Sequence, residues 1–79
     1  MEYDQNKVDD MVLALLALTM HGNSYGTRAW KGHDWDTLDR LHSKGYISDP
    51  KGKAKSVVMT EEGEKRSLEL LEKFFVSRG

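Results

Sequence analysis

Apolar residues recur at helical spacing near the start of the chain. Val8, Met11, Val12, Leu15, Leu16 and Leu18 fall three or four positions apart, with Ala14 and Ala17 between them. Asp4 stands where an N-cap would accept the free amide donors of a first turn, so a first helix is expected over residues 5–20. Leu13 lies off the main stripe and the helix is apolar around much of its circumference, which predicts a central helix or one shared with a second subunit. Gly22 ends it. Residues 21–33 hold Gly22, Gly26 and Gly32 with Asn23 and Ser24 and read as a loop, with one short extended piece around Arg28-Ala29-Trp30-Lys31.

The helical period returns at Asp34. Trp35, Leu38, Leu41 and His42 share a face, Asp36, Asp39, Arg40 and Ser43 look outward, and Lys44-Gly45 supplies a cationic last turn followed by a C′ glycine. A second helix is therefore expected over 34–44, with Trp35 and His42 packed inside. Two extended segments follow, Tyr46-Ile47-Ser48 and Ser56-Val57-Val58-Met59, and the turn chemistry of Asp49-Pro50-Lys51-Gly52-Lys53-Ala54-Lys55 between them predicts a two-stranded β-hairpin. Thr60 is placed as an N-cap, with Glu61 and Glu62 where the helix dipole favours anions. The third helix should run over 61–77, with Leu68, Leu71 and Phe75 on one stripe and Leu70 and Phe74 on a second beside it. The order is helix, short extended piece, helix, hairpin, helix: one α+β domain over residues 1–79.

Size and composition narrow what such a domain does. Seventy-nine residues leave room for one small core, and the absence of cysteine removes disulfides, thiolate metal sites and thiol nucleophiles together. A reducing cytoplasm is the expected home. The apolar run from Met11 to Met20 is half the roughly 20 residues a membrane helix needs, so no span is expected. The net charge of −1 resolves into −3 over residues 1–20, +3 over 21–58 and −1 over 59–79, a basic centre between acidic ends.

Leu38-x-x-Leu41-x-x-Lys44-Gly45-Tyr46-Ile47, the lysine-rich turn after it and Val57-Val58-Met59-Thr60-Glu61-Glu62-Gly63 together resemble the winged-helix domains of MarR- and PadR-type bacterial regulators over residues 34–72. The resemblance implies a small winged-helix-like domain in which 34–44 is the recognition helix, 51–55 the tip of a two-stranded wing, and the last helix a packing or dimerisation helix. The whole chain, with Arg28-Ala29-Trp30-Lys31-Gly32 and Asp34-Trp35-Asp36, is also similar to a small family of uncharacterised bacterial proteins.

Candidate binding residues follow from charge and exposure. Lys51, Lys53 and Lys55 alternate in the turn and suit phosphate contacts with duplex DNA, with Arg40 and Lys44 as secondary contacts. Asp34, Asp36 and Asp39 set three carboxylates on the helix that would approach that DNA. Protein interaction through Trp30, Leu70 and Phe74, without DNA binding, is the alternative, and a homodimer through helices 1 and 3 would add burial that so short a chain lacks. Trp30 and Trp35 bracket Lys31, Gly32 and His33, and such a pair beside basic residues suits stacking on a base or gripping a peptide, or else a small core over the end of helix 1. His21, His33 and His42 have no metal-ligand spacing, and neither a nucleophile with its base nor a phosphate-binding glycine loop is recognisable, so no metal, cofactor or enzymatic activity is expected.

Overall fold

Three capped helices and a small antiparallel sheet build the domain. A computed structural model describes residues 2–23, 26–52 and 55–76. Helix α1 spans Gln5–Leu18, and the Asp4 carboxylate accepts from the amides of Asn6 and Lys7, as an N-cap should. Strands β1 (His21–Asn23) and β2 (Gly26–Trp30) follow, then α2 (Trp35–Ser43), β3 (Ser56–Val58) and α3 (Glu61–Phe75). The sheet order is β1-β2-β3, antiparallel throughout. The α+β class and the three helices agree with the sequence reading, and each helix is slightly shorter than expected.

The strand partners differ from that reading. The regular hairpin lies at 21–30, in the glycine-rich stretch read as a loop, with His21 paired to Arg28 and Asn23 to Gly26. Its return strand contains the short extended piece expected around residue 29. The expected pairing of 46–48 with 56–59 is reduced to one bridge, Ile47 to Met59. Ser48 explains the reduction: its amide donates to the Val58 carbonyl, but its hydroxyl, not its carbonyl, receives the Val58 amide. Strand β3 pairs with β2 instead, Ala29 lying opposite Val57 and Trp30 opposite Ser56.

Between α2 and α3 the chain turns through a tight junction. Gly45 has a φ of +82°, the left-handed conformation that suits glycine after a helix. Its carbonyl accepts from the Thr60 hydroxyl at 2.6 Å, and that hydroxyl in turn caps α3 by accepting from the Gly63 amide at 2.9 Å. Gly63 is buried because α3 rests directly on the backbone of Tyr46, where a Cβ would overlap the Tyr46 carbonyl.

The core is aliphatic. Leu13, Leu16, Leu38, Leu41, Ile47, Val57 and Leu70 are its large members, with Ala14, Ala29 and Met59. Among the described residues every tryptophan and phenylalanine is exposed, Trp30 by 51% and Trp35 by 56%. Trp35 and His42, expected inside, therefore lie outside, and the tryptophans form no core. On α1 the buried face is Asp9, Leu13, Ala14 and Leu16, whereas Met11, Leu15 and Leu18 are exposed. Leu70, considered as an interaction residue, is 1% exposed and belongs to this core.

One charged group sits among these apolar side chains. Asp9 is 1% exposed; its Oδ1 accepts from Arg40 Nε and its Oδ2 from Lys44 Nζ, both at 2.8 Å. Arg40 also donates to Thr37 Oγ1, itself a donor to the Asp34 carboxylate that caps α2. A buried carboxylate without its partners is strongly disfavoured, so this cluster fixes how α2 lies on α1.

Asp9→Asn is expected to lower unfolding free energy by roughly 2–3 kcal/mol, below the full cost of breaking a buried pair because both cations reach water. Chemical denaturation reads this directly, and an unchanged midpoint would mean that the cluster does not hold the helices. Gly63→Ala should lose about 1–3 kcal/mol by overpacking against the Tyr46 backbone. Gly32→Ala, with open space around an added Cβ, is the control that should leave the midpoint in place.

Candidate nucleic-acid interface

Alternation along the strands sorts their side chains into two faces. Ala29 and Val57, directly opposite each other, are buried in the core. Arg28, Trp30, Ser56 and Val58 therefore point to the other side, and His21, the cross-strand partner of Arg28, joins them. This outer face is open at His21 and Trp30, whose rings lie 6.2 Å apart and tilted by 43°. The Trp30 amide donates to Thr19 Oγ1 at the end of α1, which anchors its backbone while the indole remains in water. His21 donates from Nδ1 to the Thr19 carbonyl.

The basic turn is tied to this sheet by Lys31. Its amide donates to the Lys55 carbonyl, its ammonium to the carbonyls of Pro50 and Gly52, and the same ammonium lies 5.6 Å from the centre of the Trp35 ring. Pro50 is buried beneath the turn. Trp30, Lys31, Gly32 and Lys55 consequently line one shallow depression of about 380 Å³.

Charge is segregated in the same way. Residues 20–33 and 50–60 contain all three strands and the basic turn; they carry Arg28, Lys31, Lys51, Lys53 and Lys55 and no aspartate or glutamate. All 13 carboxylates lie elsewhere, mostly on the helices. Arg28 is held by neutral partners, Nε donating to Ser56 Oγ at 2.7 Å and Nη2 to the Ser56 carbonyl at 2.9 Å, so its charge stays uncompensated by any ion pair among the described residues.

The residues singled out from sequence divide accordingly. Lys51 and Lys55 are exposed beside the sheet; Lys53 lies outside the described residues. Arg40 and Lys44 are removed from the set, since Asp9 holds both on the α1 side of α2. Trp30 is on the open face, while Phe74 lies at the end of α3 with Phe75 against it edge-on and Lys73 over its ring. Arg28 carries no binding role expected from the sequence, and Lys31 only that of a basic neighbour to the two tryptophans. The signal for them was present as the lack of any acidic residue over 20–33. No group of three or more His, Asp or Glu side chains among the described residues is placed to hold a metal ion, and no described helix is long and apolar enough to cross a membrane.

No solved structure matches this chain. It is 55% identical over 75 residues to an uncharacterised protein, y4hR, of the bacterium Sinorhizobium fredii, an alignment covering 95% of this chain and 97% of that protein. Residues 4–77 match the model of a domain of unknown function, DUF6429, nearly the full length of the sheet and helices described above. The chain belongs to the DUF6429 family.

Proposed function

We infer that this domain binds nucleic acid through its sheet and the 50–55 turn. The observation that carries the reading is the segregation of charge: three strands without a carboxylate and a turn with three lysines, five basic residues in all against the single Asp49 at the start of the turn, beside helices that hold most of the acidic ones. Phosphate contact is the interaction such a surface favours, and it does not depend on net charge when the basic groups are gathered on one side. Lys51, Lys53, Lys55 and Arg28 are its contacts. The recognition-helix role that the winged-helix resemblance implies for residues 34–44 is not part of this reading. Asp36 and Asp39 repel phosphate there, and the cations of α2 are committed to Asp9.

A second surface favours self-association. Met11, Leu15 and Leu18, at i, i+4 and i+7, form an exposed apolar stripe on α1, and Phe74, Phe75 and Val76 are exposed at the end of α3. Among the described residues ten large apolar side chains are exposed, as many as the ten residues of the buried core, so a second copy packing on α1 and α3 would supply burial that one chain does not achieve. A dimer would also double the phosphate contacts.

Fluorescence anisotropy with labelled random-sequence oligonucleotides tests the first reading. Binding is expected to be detectable below about 50 µM protein at low salt and to weaken steeply as salt rises. Changing Lys51, Lys53 and Lys55 together to Ala should flatten the salt dependence by about 2–3 logarithmic units per decade. Undetectable binding, or an unaltered slope in the triple variant, defeats the reading. For the second surface, sedimentation equilibrium should give a dimer that Leu15→Glu converts to monomer; a wild-type monomer at all concentrations excludes it.

A further inference from the structure

We propose that the nucleic acid bound is single-stranded, with Trp30 as the platform on which an unpaired base stacks. The proposal rests on the nucleic-acid reading above and adds strandedness and a base-contacting residue.

Three observations support it. First, the surface that carries the charge is a sheet face and its bordering turn, not a projecting helix. The α2 helix that would enter a major groove is acidic and has its arginine and lysine held by Asp9. A short sheet with one protruding ring meets a duplex only at its backbone, because the faces of paired bases are covered by their neighbours; a single strand offers those faces.

Second, Trp30 is no part of the core. It is 51% exposed on the solvent side of β2 with the His21 ring beside it, while the small residue next to it, Ala29, takes the core position. Fully burying a ring of that size would contribute roughly 1.5–3 kcal/mol, and about half of that is forgone here. The depression beside it is kept open by Gly32, around whose position nothing lies within 4 Å of an added Cβ.

Third, cationic groups lie next to the ring on the same surface. Lys55 and Lys31 border the depression, Arg28 is two residues away on the same face of β2, and no carboxylate is found on any of the three strands. Stacking residues flanked by phosphate-directed cations are the chemistry that single strands require. Trp35, also about half exposed and fixed by the Lys31 ammonium over its ring, is placed to take a neighbouring base.

The experiment compares a single-stranded oligothymidine of about 15 nucleotides with a duplex of the same length, using the full chain and reading both anisotropy and tryptophan fluorescence. Tighter binding of the single strand with quenched fluorescence is expected. Trp30→Leu, which keeps apolar bulk without a π face, should weaken single-strand binding about ten-fold, while Trp30→Phe retains most of it and duplex binding is unchanged in both. Equal binding of both forms, or wild-type affinity in Trp30→Leu, overturns the stacking proposal while leaving phosphate binding intact. Binding of neither form overturns both readings. Polyglutamate competing as well as oligothymidine at equal charge would also overturn it, since a base would then contribute nothing.

Discussion

The Asp9 carboxylate is the constraint around which the helices are arranged. A carboxylate withdrawn from water needs charged donors at both oxygens, and α2 provides them from Arg40 and Lys44, one turn apart. Those two side chains can reach Asp9 only if α2 is rotated to set that side against α1. The rotation turns Thr37, Leu38 and Leu41 toward the core and leaves Trp35 and His42 on the opposite side of the helix, in water. The same contact decides which cations have a carboxylate partner. Of the basic residues in the central part of the chain, Arg40 and Lys44 pair with Asp9, while Arg28, Lys31, Lys51 and Lys55 have no ion pair among the described residues.

A second constraint comes from close approach. Helix α3 contacts its neighbours through Gly63, Ser67 and Leu70, so two of its three buried positions are small. Gly63 lets the helix sit on the Tyr46 backbone, and the Ser67 hydroxyl donates to the Glu64 carbonyl of its own helix. Close packing of short side chains leaves no room for rings inside. The tryptophans and phenylalanines are accordingly displaced to the surface, while Tyr46 packs against the edge of the core, partly buried.

These two constraints also account for what could be read from the sequence. Local signals were legible: Asp4 and Thr60 cap their helices, Gly45 terminates α2 with a positive φ, and the order of helices follows from periodicity. The buried faces were not legible, because the inner stripe of α1 contains a charged residue and that of α3 contains glycine and serine. Hydrophobic spacing ranks Leu15 and Leu18 above Asp9, and only a partner 31 residues away reverses the order. The hairpin at 21–30 was hidden for a related reason. Gly22, Asn23 and Gly26 there are strand residues despite their poor strand propensity, and Ala29 and Val57 become strand residues only once they face each other. Of the candidate interface, the lysines of the turn were legible as charge; the pairing that brings Lys55 beside Trp30 was not.

With most carboxylates on the helices and Arg28, Lys31, Lys51, Lys53 and Lys55 in the sheet and the segments bordering it, this nearly neutral molecule is unevenly charged. Far from a polyanion its net charge of −1 draws it in no direction, and at physiological ionic strength its field fades within about 8 Å. Closer in, the two ends feel opposite forces and the molecule experiences a torque before it experiences attraction, presenting the sheet and turning the helices away. On the nucleic-acid reading proposed above, a domain built this way would reach a strand with its sheet and turn already facing it.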